Sequence, residues 1–95
     1  TRSAGSHVVL VDGALAAYVA KGEGRVELLL PPEEPKRSQV ARAAALALGR
    51  WAMATGRPTL GWAVEAGEIP LTKSALAPFM AEAGFVPSGP GYRIG

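Results

Sequence analysis

The 95-residue chain contains no cysteine, which excludes disulfides, thiolate zinc sites and cysteine nucleophiles and fits the cytoplasm. It has one histidine, His7, and one aspartate, Asp12. A lone imidazole cannot form a histidine pair, so no metal site is expected and His7 reads as an edge-strand residue. Ser3, Ser6 and Ser38 lack a histidine–acid arrangement. No apolar run approaches the ~20 residues of a membrane-spanning helix: Ala14 to Ala20 stops at Lys21, and Ala43 to Leu48 at Gly49-Arg50. The Gly-x-x-x-x-Gly-Lys-Ser/Thr loop that cradles nucleotide phosphates is also missing, and Gly22, Gly24, Gly89 and Gly91 fall in turns rather than at strand-to-helix junctions. ATP hydrolysis by this chain is not expected.

What is present describes one folded domain. Apolar residues make up 48% of the chain and charged residues 19%, a globular balance. A net charge of +2 permits nucleic-acid binding but is far from the dense basic face that would announce it. The first residue is Thr1 rather than methionine, so the expectation is a piece cut from a longer protein.

The central stretch is Val8 to Val19, in which Asp12-Gly13 separates two apolar arms. Asp-Gly suits a type I′ turn, where both central residues need positive φ, so Val8 to Ala20 is predicted as a β-hairpin. Leu15, Tyr18 and Val19 would also line a short helix. Only about two turns fit before Gly22, however, and that is marginal for a helix. A third strand is expected over Val26 to Leu30. Pro31-Pro32-Glu33-Glu34-Pro35 then ends the sheet and opens a long helix from Lys36 to Thr55, with Gly56 as its cap and Pro58 beyond. Its predicted inner stripe is Val40, Ala44, Ala47, Leu48 and Trp51. Thr59 to Glu65 alternates as a fourth strand, Ser74 caps a second helix, Gly84-Phe85 stops it, and Tyr92-Arg93-Ile94 ends in a strand. The order βββ-α-β-α-β predicts an α+β two-layer sandwich, a mainly antiparallel sheet with both helices on one face.

Gly5 to Tyr18, and the tail segments Ser74 to Pro78, Ala83 to Pro87 and Gly91 to Ile94, resemble the C-terminal end of large helicase-related (Lhr) proteins, ATP-dependent superfamily 2 helicases of bacteria. The resemblance implies an accessory C-terminal module in DNA transactions such as repair, giving DNA contacts or scaffolding to motor domains absent from this chain. ATP and magnesium would belong to the parent helicase. The implied partners are DNA, single-stranded or hybrid duplex, reached through the parent, and the preceding domains of the same chain. A weak homodimer is a further expectation for the isolated module. The C-terminal part of these helicases also has a region resembling DNA glycosylases, which gives an alternative reading as part of a base-excision region; Asp12 would then be the acid. The turn explains Asp12 without catalysis, and the remaining acids are scattered glutamates with no paired-carboxylate spacing. A third reading is a protein-interaction module.

Two sets of residues carry these expectations. Lys21, Arg25, Lys36 and Arg37 lie near glycines or helix-start amides and are the candidate phosphate contacts. Arg42, Leu46, Arg50 and Met53 fall on the far side of the long helix and are the candidate interdomain docking strip. Tyr18, Trp51, Trp62, Phe79, Phe85 and Tyr92 are read as core aromatics rather than base-stacking platforms.

Overall fold

The computed structural model describes residues 7–20, 24–56 and 58–95. The first hairpin joins β1 (His7–Val11) to β2 (Ala14–Val19), and its two turn residues have φ values of 53° at Asp12 and 83° at Gly13. These are the positive values that a type I′ turn imposes, and aspartate and glycine adopt them at little cost. The register runs Val11 to Ala14 and Leu10 to Leu15, then shifts so that Val9 faces Ala17. Ala16 is therefore the extra residue of a bulge in β2, and both Ala16 and Ala17 are buried.

β3 (Arg25–Leu28) pairs antiparallel with β2, and on its other side runs parallel to β4 (Trp62–Val64). A parallel neighbour needs a crossover, and α1 (Lys36–Ala54) supplies it. β5 (Glu68–Pro70) returns antiparallel after a turn at Ala66 and Gly67, completing a sheet in the order β1-β2-β3-β4-β5. A 3₁₀ turn (Leu71–Lys73) leads to the short α2 (Ala77–Met80). The hairpin of β6 (Phe85–Ser88) and β7 (Gly91–Ile94) forms a separate two-stranded sheet. Leu60 and Tyr92 exchange backbone hydrogen bonds of 2.9 and 2.8 Å and tie this hairpin to the body.

The pleat sorts the large sheet into two faces. Val9, Ala17, Val19, Val26, Leu28 and Ala63 are buried beneath the second layer. That layer contains α1, whose buried residues are Val40, Ala41, Ala44, Ala45, Leu48, Gly49 and Ala52. The helix contacts chiefly β1 and β2, and α2 lies against it. Small residues on both surfaces permit this approach. Gly49 is so close to α2's exit that an added Cβ would stand 2.3 Å from the Ala83 carbonyl oxygen.

The α+β sandwich and the order of its elements agree with the pattern in the sequence, with local differences. The α1 stripe is turned slightly toward Ala41 and Ala45, which leaves Ala47 and Trp51 at its margin and only partly buried. The fourth strand is shorter than Thr59 to Glu65, because Leu60 is held by Tyr92 rather than by the main sheet. Ser74 does not cap the second helix as the pattern suggests: it closes the 3₁₀ turn, its Oγ donating to the Leu71 carbonyl at 2.7 Å and accepting from the Leu76 amide at 3.2 Å, while α2 is a single turn whose N-cap, Leu76, offers no side-chain bond. Among the described residues no helix is long and apolar enough to cross a membrane.

Candidate functional site

Asp12 is set by the turn it makes. Its side chain is 79% exposed, and its carboxylate accepts from Lys36 Nζ at 3.3 Å. The pair stands at the mouth of an apolar concavity of about 450 Å³ between the hairpin tip and the start of α1, lined in part by Val11, Leu15, Leu30 and Val40.

The other candidate phosphate contacts are separated. Arg25 lies on β3 and donates through Nε to Glu68 at 2.6 Å, bridging β3 to β5 across the sheet. Arg37, in the first turn of α1, forks onto Glu65 with bonds of 2.8 and 2.6 Å and also reaches the Pro31 carbonyl. This half-buried pair holds the Glu65 carboxyl below its usual range, chiefly through the hydrogen bond from Arg37, while burial opposes the shift. Lys21 lies outside the described residues. Arg25, Lys36 and Arg37 border three different concavities.

Three amides in the first turn of α1, those of Arg37, Ser38 and Gln39, are occupied as well. Arg37 N donates to the Glu33 carbonyl and Gln39 N to the Pro35 carbonyl. Glu34 closes the remaining gap, accepting from Ser38 N at 2.9 Å and Ser38 Oγ at 2.7 Å. The carboxylate thus takes the place at the positive end of the helix that an incoming anion would otherwise occupy. Those two hydrogen bonds lower the Glu34 pKa.

On the far side of α1, Arg42 is engaged by Glu82 from the segment after α2, with its Nε 3.0 Å from Oε1. Leu46 is half-buried. Met53 stands 58% exposed, and Arg50 has no acidic partner among the described residues.

Two features escape a reading by periodicity alone. Trp51 stacks on His7, with ring centroids 5.2 Å apart and planes 8° apart, joining α1 to β1 and burying the imidazole enough to lower its pKa. The face of the large sheet turned away from α1 carries Leu10 (61% exposed), Leu29 (50%) and Trp62 (39%), together with Val8, Leu15, Tyr18, Glu27 and Val64. Trp62 is therefore a surface aromatic, not a core one. The signal was in its neighbour: Ala63 is small and fully buried, as a residue under a close helix must be, which sends Trp62 outward.

Comparison with protein-family models, curated proteins and solved structures finds no match.

Proposed function

We propose that this chain is an accessory module of an ATP-dependent DNA helicase, as its resemblance to the C-terminal end of Lhr proteins implies, and that it serves as scaffold for the motor domains rather than as a phosphate-binding surface. One observation carries the choice of scaffold: Arg25, Lys36 and Arg37 are each held by a carboxylate of the same fold. A cation must leave such a partner before it can neutralise a phosphate, which offsets part of the gain from counterion release. The module makes no ATP chemistry of its own in this reading. ATP and magnesium act in the parent, DNA is reached through the parent, and the site of action is cytoplasmic.

The partner surface is the preceding part of the parent chain, met by exposed apolar side chains such as Met53. Binding should be measured between the module and that upstream region by calorimetry. Met53→Glu should weaken it without altering the module's melting temperature. In parallel, fluorescence anisotropy with single-stranded and hybrid-duplex oligonucleotides at low and moderate salt should give little binding by the module alone. Tight, salt-sensitive binding that charge reversal at Arg25 or Arg37 abolishes would replace scaffolding with direct DNA contact. The base-excision reading draws on Asp12 beside its apolar concavity and predicts release of a damaged base.

A further inference from the structure

The large sheet ends differently on its two sides. β5 is three residues long, carries Glu68 in an ion pair and ends in Pro70, which has no N–H to offer. These are devices that blunt a sheet edge. β1, at the other end of the strand order, reads His7-Val8-Val9-Leu10-Val11, with no charge of either sign and no proline. Nothing in its sequence protects it from accepting another strand.

The hairpin determines which backbone groups face outward. Asp12 and Gly13 form a two-residue turn, so Val11 and Ala14 are its hydrogen-bonded closing pair. The bulge lies in β2, and β1 itself keeps a regular alternation. Val11, Val9 and His7 therefore direct their N–H and C=O groups to β2, and Val8 and Leu10 direct theirs to the side away from β2. Among the described residues, no segment outside the hairpin bonds to the Val8 or Leu10 backbone. Beside this edge a shallow cleft of about 380 Å³ runs between β1 and α1, lined by Val9, Ala47, Trp51 and Arg50.

We propose that β1 is a β-augmentation site: an extended peptide segment adds antiparallel to its edge, hydrogen-bonded to Val8 and Leu10. Residues directly opposite each other project to the same face. The peptide residue opposite Val9 thus points toward α1 and is apolar, filling the cleft against Ala47 and Trp51. An acidic residue two positions along meets Arg50. Residues opposite Val8 and Leu10 project to the face turned away from α1, where Leu10 gives apolar contact. Main-chain bonds supply affinity and the cleft supplies selectivity.

The charge distinguishes this occupant from a second copy of the chain. A second β1 brings no acidic residue within its strand, and Arg50 would be left without a partner. This inference rests on the edge and the cleft, not on helicase parentage, and it stands or falls separately from the scaffold reading.

The test uses the 95-residue chain and a phage-displayed library of random decapeptides. Selected peptides should alternate apolar or β-branched residues and carry Asp or Glu at one fixed position. Adding a synthetic copy should slow hydrogen exchange at the Val8 and Leu10 amides, which are fast in the free protein, while Val9 and Val11 are slow throughout. Val8→Pro removes one outward donor and keeps the bonds to β2, so the variant should fold and bind about tenfold or more weakly. Arg50→Glu should lower affinity for the acidic peptide by about tenfold and leave a Gln-substituted peptide unaffected. Three results would each overturn the proposal: a selection that yields no binder, peptides that bind Val8→Pro undiminished, or sedimentation showing that a Val8→Pro-sensitive dimer already covers the edge.

Discussion

Gly49→Ala places two well-measured effects in opposition, and the packing of α1 decides between them. In an isolated helix alanine is better than glycine by about 1 kcal/mol, so propensity predicts stabilisation. Here the new Cβ would lie 2.3 Å from the Ala83 carbonyl oxygen and 3.1 Å from the Ala83 Cβ, and real Cβ contacts essentially never fall under 3.0 Å. The helix and the chain leaving α2 would have to separate by most of an ångström. Overpacking of a tight core costs about 1–3 kcal/mol, and an obstacle made of backbone rather than a flexible side chain belongs at the upper end. Subtracting the propensity gain leaves a net loss of about 2 kcal/mol. For a domain of this size that corresponds to a fall of roughly 10 °C in melting temperature. Thermal unfolding followed by circular dichroism measures it, with urea unfolding as a second estimate. Adding Ala83→Gly should not rescue the variant, because the nearest atom is the carbonyl oxygen and remains. A melting temperature at or above that of the parent sequence would mean that α1 and the α2 exit are farther apart than described.

Three further outcomes are expected. Because Glu65 titrates lower folded than unfolded, the stability it contributes is complete above the ordinary glutamate range and is lost as pH falls through the depressed folded value; Glu65→Gln should cost about 1 kcal/mol near neutral pH and flatten that acid limb of the urea-midpoint profile. His7 is likewise lowered by burial, so its NMR titration should have a midpoint below 6.5 and stability should decline as the pH drops from 6.5 through that midpoint; Trp51→Ala should move the midpoint back upward. Asp12→Asn should change stability by less than about 0.5 kcal/mol in urea unfolding, since asparagine also tolerates the turn, and uracil- or alkyl-base-containing DNA should remain intact with either form.

Local chemistry made much of the fold legible. Asp12-Gly13 specified its turn, Gly56 and Pro58 bounded α1, and the 3.6 period located most of the buried helical face. What the sequence concealed depended on partners distant along the chain. Leu60 belongs with Trp62 by alternation, yet Tyr92 claims it, and that pairing has no signature within either segment. Trp51 fits the inner stripe by spacing, but the stripe is turned toward Ala41 and Ala45, and β1 presents His7 to the indole at its margin. The candidate cations were legible as charges near amides. Their carboxylate partners, Glu68 for Arg25 and Glu65 for Arg37, come from beyond α1 and required the sheet to be assembled first.

The parallel junction of β3 with β4 also sets an order of assembly. Every other neighbouring pair in the large sheet is close in sequence and can form from nearby residues, whereas Arg25 meets Trp62 only after the whole of α1 has been made and folded back. During synthesis, a chain that has emerged only as far as Thr55 has its meander and helix but no fourth strand, and the edge of β3 beside Val26 is bare. Closing that long loop costs more chain entropy than closing any of the shorter connections in the sheet. Until it happens the edge of β3 beside Val26 stands unpaired as well as that of β1, so a chain cut short before Trp62 should self-associate more readily than the full one.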